Sequence, residues 1–89
     1  MDHNAIPRLA RGVRFSDAPG EEATLMVPEG ILRLKGPGRR IVELCDGNRT
    51  IAELVQTLTA EFSAGDPQKI TSDVEQFLTR LRDRQVLHF

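Results

Sequence analysis

At 89 residues the chain has room for one domain with a modest core. Its 12 basic and 13 acidic side chains leave a net charge of -1, which argues against a nucleic-acid binder driven by electrostatics. One cysteine excludes an internal disulfide and a metal set of several thiolates, no apolar run approaches a membrane span, and residues 1–7 lack a signal-like core. A cytoplasmic location is expected.

Residues 1–7 read as a flexible tail and residues 8–89 as a single domain. Val13-Arg14-Phe15 is a short extended piece, stopped by Ser16 to Gly20, where Ala18-Pro19-Gly20 is a turn signal. Thr24 to Val27 form a second strand. Pro28-Glu29-Gly30 reverses the chain, because proline presets its own backbone angle and glycine permits unusual ones. Ile31 to Lys35 form a third strand, so a hairpin with a three-residue connection is expected. Strand alternation puts Leu32 and Leu34 on one face, expected to meet the core, opposite Ile31, Arg33 and Lys35.

Beyond Gly36-Pro37-Gly38 the pattern is helical. A short helix is expected from about Pro37 to Cys45, with Ile41, Val42, Leu44 and Cys45 as its apolar face and Gly47 as its left-handed cap. Thr50-Ile51-Ala52-Glu53 has the form of a capping box. Ile51, Leu54, Val55, Leu58 and Phe62 follow at helical spacing. Asp66-Pro67 reads as the next helix start, with proline at the first position and Ser72 as an alternative cap. Ile70, Val74, Phe77, Leu78 and Leu81 give a third stripe, ending near Arg84. Val86, Leu87 and His88 form a last short strand or pack over the core. The fold class is α+β, winged helix-turn-helix-like, with three short antiparallel N-terminal strands followed by three helices.

Catalytic equipment is sparse. His3 and His88 sit near opposite ends, and Cys45 lies on an apolar stripe, where a core role is expected. These three do not make a convergent zinc set. Gly36-Pro37-Gly38 lacks the lysine and hydroxyl of a phosphate loop. No enzymatic activity, cofactor or metal is expected. The four phenylalanines are the only aromatic residues, and Phe62 and Phe77 read as core rather than as a base-stacking platform. A winged-helix DNA binder is the alternative. Lys69, Gln76, Arg80, Arg82 and Arg84 lie on the last helix, but Asp73 and Glu75 on the same helix would meet phosphate unfavourably.

Val13-Arg14-Phe15, the Met26-Val27-Pro28-Glu29-Gly30 turn, Leu32 and Leu34, and Leu44-Cys45-Asp46-Gly47 with Thr50-Ile51 resemble the PqqD family. So does Asp73-Val74-Glu75-Gln76-Phe77-Leu78, followed by Leu81. The likeness covers about residues 7 to 88, and the order and spacing of its pieces carry more than any one piece. It implies a peptide chaperone of pyrroloquinoline quinone biosynthesis, a recognition element for ribosomally made precursor peptides. Its expected partners are the precursor peptide PqqA and the radical S-adenosylmethionine enzyme PqqE, which would hold the iron–sulfur clusters. The family fold, three strands before three helices, agrees with the pattern read above.

A small sheet has an edge to which a peptide can add as a strand. The candidate edge is Ile31, Leu32, Arg33, Leu34 and Lys35. In the family the peptide lies between this strand and the third helix. Carried onto this chain, that implicates Arg33 and Lys35 together with Asp73, Gln76, Phe77 and Arg80. The same edge could instead pair with a second copy of the chain, giving a homodimer or a self-associating module, with Gly36-Pro37-Gly38 as a hinge for segment exchange.

Overall fold

The computed structural model describes residues 1–15, 23–34, 37–62 and 65–89. In chain order these form β1 (Arg8–Leu9), β2 (Arg14–Phe15), β3 (Ala23–Val27), β4 (Gly30–Leu34), α1 (Gly38–Leu44), α2 (Ile51–Glu61), α3 (Pro67–Asp83) and β5 (Leu87–His88). The turn expected at Ala18-Pro19-Gly20 and the strand end expected at Lys35 lie outside the described residues. The arrangement is the α+β, winged helix-turn-helix-like one read from the pattern, with three antiparallel strands in the order β2-β3-β4 ahead of three helices.

Two details of the hairpin and its sheet differ from expectation. Val27 pairs with Gly30, so the connection is the two residues Pro28 and Glu29, and Gly30 already belongs to the strand. Gly30 has φ 139°, a conformation that glycine adopts without Cβ strain. A second sheet also exists: β1 pairs antiparallel with β5, Arg8 opposite His88 and Leu9 opposite Leu87. Strands of two residues are too short for alternation to reveal, so this sheet had no sequence signature beyond the apolar Val86 and Leu87.

α2 and α3 start where their caps put them. Thr50 Oγ1 accepts from the Glu53 amide at 3.1 Å, and Glu53 Oε1 accepts from the Thr50 amide at 3.0 Å. The chain's first residues complete the job. The amide of Ile51 donates to the Ala5 carbonyl at 2.9 Å and that of Ala52 to His3 at 3.0 Å. All three amides of the first turn, which a helix cannot satisfy internally, therefore have partners. Residues 1–7, read as a tail, include the buried Pro7. At α3, Asp66 accepts from the Gln68 amide at 3.0 Å and Pro67 occupies the first turn. Ser72 lies inside that helix and is not its cap.

α1 has no side-chain cap, no acidic residue in its first turn and two arginines near its start, all unfavourable to the helix dipole. Burial and ion pairing hold it instead. Ile41, Val42 and Leu44 are buried, and Arg40 grips Glu61 at the end of α2 through contacts of 2.6–3.1 Å. Gly47 is left-handed as expected, at φ 80°, but it is not the helix cap. It lies two residues past the C-cap Cys45, and its amide donates to the Pro7 carbonyl at 3.3 Å.

α3 ends in a full Schellman turn without glycine. The Val86 amide donates to the Leu81 carbonyl and the Gln85 amide to Arg82, both at 2.9 Å. Gln85 carries the left-handed conformation, φ 62°. Val86 and Leu81, which flank the motif, are both buried. The core beneath these elements is aliphatic, with Leu25 and Leu34 from the hairpin, Ile51, Leu54 and Leu58 from α2, and Val74, Leu78 and Leu81 from α3. Phe62 departs from its expected core role. It is the C-cap of α2 and stands 46% exposed, because the helix ends before that position turns inward.

Gln85→Gly should raise unfolding stability by about 0.5–1 kcal/mol, because it removes a Cβ from a left-handed residue. Thr50→Ala should lower it by about 1 kcal/mol. Urea titration measures both. Glu53 is held below the usual carboxylate range by its hydrogen bonds to the Thr50 backbone and side chain. Its folded pKa is depressed, so its contribution is present above the ordinary carboxylate range and lost as pH falls through the lowered one. The Thr50→Ala difference should therefore shrink on acidification.

Candidate functional site

Among the described residues β4 pairs only with β3, so its other side is an open edge. In an antiparallel ladder, alternate residues aim their amide and carbonyl at the partner strand and the rest aim theirs away. With Val27 and Gly30 closing a two-residue turn, Ile31 and Arg33 are the residues whose main chain faces outward. Side chains alternate on the perpendicular axis. Leu34 is 5% exposed and Leu32 half-buried, both on the core side as expected, whereas Ile31 is 67% exposed and Arg33 is exposed.

α3 lies beside this edge. A cleft of about 340 Å³ separates them, lined by Leu32, Arg33 and Leu34 from the strand and by Phe77, Arg80, Leu81 and Arg84 from the helix. A hollow of about 230 Å³ adjoins it, walled by Gly38, Asp73, Gln76, Phe77 and Arg80. The structure thus brings Leu32, Arg33, Leu34, Asp73, Gln76, Phe77 and Arg80 around one groove. Ile31 does not line it with its side chain and offers its main chain at the edge. Lys35 lies outside the described residues.

Gly38, Leu81 and Arg84 were not singled out as site residues on the sequence. Gly38 is the one with a structural reason for its identity. A Cβ there would come within 3.1 and 3.2 Å of the Phe77 ring and 3.5 Å of Leu34 Cβ. Glycine lets the start of α1 close against that ring at the floor of the groove. Gly36-Pro37-Gly38 signalled a chain break, and the close approach had no signal of its own. In the sequence Leu81 reads as a core residue, and Arg84 as a helix end and as one of the basic residues weighed for DNA binding.

The groove is basic at one end. Arg33, Arg80 and Arg84 have no ion-pair partner among the described residues, whereas Arg39, Arg40 and Arg49 pair with Glu43, Glu61 or Asp46. Arg82, on another side of α3, lies over the Phe89 ring at 4.7 Å. Glu75 points elsewhere too and meets His3 at 3.0 Å. The arginines of α3 therefore do not form one continuous basic face.

Cys45 is buried, and its thiol donates to the Ile41 carbonyl at 3.2 Å. Burial, helped by the Asp46 charge, pushes the thiol up to about 12, so the nucleophilic thiolate is suppressed near neutral pH. Among the described residues no group of three or more His, Cys, Asp or Glu side chains is placed to hold a metal ion. No described helix is long and apolar enough to cross a membrane.

Fold and groove together are those of a winged-helix-like domain with an open sheet edge beside its last helix. The family model described as Coenzyme PQQ synthesis protein D (PqqD) matches residues 22–87. A PqqA binding protein of Azotobacter vinelandii is 38% identical over 82 residues, 91% of this chain and 87% of that one. One from Xanthomonas campestris pv. campestris is 31% identical over 88 residues, covering 98% and 95%. The solution structure of the PqqD truncation of Methylobacterium extorquens PqqCD superposes with a TM-score of 0.80 at 28% identity, covering 99% of this chain and 94% of that one. That truncation is described as a functional, stand-alone recognition element for ribosomally synthesized and post-translationally modified peptides. The chain belongs to the PqqD family.

Folded protein at pH 8 should resist alkylation at Cys45 and react fully in urea, as mass spectrometry of iodoacetamide-treated samples would reveal. Gly38→Ala should displace the Phe77 ring and shift its aromatic resonances while changing stability by no more than about 1 kcal/mol, since alanine's helical preference offsets the crowding.

Proposed function

We propose that this chain binds the ribosomally made precursor peptide PqqA in pyrroloquinoline quinone biosynthesis and presents it to the radical S-adenosylmethionine enzyme PqqE, in the cytoplasm and without chemistry of its own. The observation that carries the reading is the open edge of β4 alongside the groove walled by α3. Family membership supports it, as do relatives that bear the name PqqA binding protein.

The mode is strand addition. The outward amides and carbonyls of Ile31 and Arg33 pair with the peptide main chain, which gives affinity with little dependence on sequence. Side chains of an added strand alternate between two faces. One set enters the groove against Phe77, Arg80 and Leu81 and fixes register. The other set faces away and stays available to an enzyme. Ordering a free peptide costs entropy, so affinity per area is modest and the enzyme's own contacts add to it.

Titration of ¹⁵N-labelled protein with PqqA should shift amides in 31–34 and 70–81. Shifts confined to distant loops would remove the groove from consideration. Arg33→Pro removes only an outward amide, so the ladder to β3 survives it. It should abolish binding, whereas Arg33→Ala should weaken binding only a few-fold; equal losses would point to a side-chain contact instead. Immobilised protein should retain PqqE better with PqqA than without. Light scattering at several concentrations, with and without peptide, separates this mode from β4 pairing with a second copy of the chain.

A further inference from the structure

The groove does not stop where the sheet does. Beyond the hollow at Phe77 lies another of about 280 Å³ where the three helices meet, lined by Ile41, Leu58, Phe62, Ile70 and Val74, with Asp73 among its walls. Ile41 and Asp73 wall both of these hollows, and Phe77 and Arg80 wall both the middle one and the cleft beside β4. Ile70, Asp73, Phe77, Arg80 and Arg84 follow one another by three or four positions, so they share one face of α3. The trough is therefore continuous along the helix. One end is apolar and exposes Phe62, with Asp73 beside it, and the other carries Arg33, Arg80 and Arg84 without ion-pair partners among the described residues.

We infer that the ligand of this trough is a peptide with an apolar, preferably aromatic, anchor followed by a carboxylate, the anchor seated at the helix junction and the carboxylate among the arginines. This rests on the strand-addition reading and extends it to a second subsite. Direction follows from topology. Leu32 lies by Arg84 and Val86 at the end of α3, whereas Leu34 lies by Gly38, which abuts Phe77. β4 thus runs against α3. Every strand pair among the described residues is antiparallel. A peptide antiparallel to β4 travels from the start of α3 towards its end, and so meets the apolar hollow first. Asp73 opposes a carboxylate at that end, which disfavours the reverse order.

Spacing follows from geometry. Ile70 and Val74 precede Arg80 and Arg84 by ten residues, about 15 Å along a helix axis. A strand covers that distance in about five residues. Anchor and carboxylate are accordingly separated by about five positions.

The probe is fluorescein-labelled PqqA, read by anisotropy against wild type, Phe62→Ser, the double variant Arg80→Glu with Arg84→Glu, and Arg33→Pro. Phe62 and both arginines are exposed, and circular dichroism checks that each variant is folded. Phe62→Ser should weaken binding about tenfold, the order expected for losing part of an apolar contact. The double charge reversal should weaken it about tenfold at low salt and less at high salt. Phe62→Leu and the double lysine variant should stay near wild type. A nitroxide on the N-terminal side of the bound segment should broaden amides in 58–62 and 70–74, and one on its C-terminal side those in 80–86. Loss of binding in Arg33→Pro with Phe62→Ser and the charge reversal unchanged would leave strand addition standing and overturn the second subsite. No effect in any variant would overturn both, and the opposite broadening pattern would overturn the direction.

Discussion

A strand edge left unpaired presents amides and carbonyls that will bond to any extended chain, so a small protein that keeps one must restrict what reaches it. Here α3 sets that restriction. The same helix must bury Val74, Leu78 and Leu81 in the core and hold Phe77, Arg80 and Arg84 opposite β4. Residues 77 and 78, or 80 and 81, are neighbours in the chain yet stand about 100° apart around the axis. Core-facing and groove-facing stripes therefore lie side by side on one rigid rod. The position of the groove is tied to the packing of the core, and a shift in one moves the other.

Much of the scaffold exists to hold that rod. α2 is anchored at its first turn by Thr50, Glu53 and the carbonyls of His3 and Ala5, while its far end grips α1 through Glu61 and Arg40. α1, poorly capped and badly placed for the helix dipole, depends on these contacts and on its buried face. At the other end of α3 the Schellman turn feeds Val86 into the core and Leu87 into β5. Gln85 holds the strained conformation there although glycine would hold it more easily.

What could be read from the residues was whatever has a local signature. The capping box, Asp66-Pro67, the turn after Val27 and the alternation of Leu32 and Leu34 with Arg33 each act within a few residues, and the fold follows them. Features made by distant segments were hidden. Nothing near Arg8 says that it will face His88, and nothing near Ala5 says that its carbonyl will close a helix. Gly38 and Phe77 are far apart in sequence, so their close approach left only a glycine that a turn already explained. Phe62 fitted the helical period but fell one position past the helix end, where period no longer predicts burial. Of the groove, the strand and the helix were each legible as elements. Their facing depends on tertiary packing, and its location came from family likeness.

The pairing of β1 with β5 has a consequence for how this domain can be joined to others. Arg8 sits across from His88, so β1 and β5 close the domain on itself, while residues 1–7 run on from that point to the first turn of α2. A linker joined after residue 89 would start at that closure, whereas one joined ahead of residue 1 would start beside Glu75 and Thr79 of α3. Either linker would raise the local concentration of whatever it tethers around the domain without adding a contact in the groove.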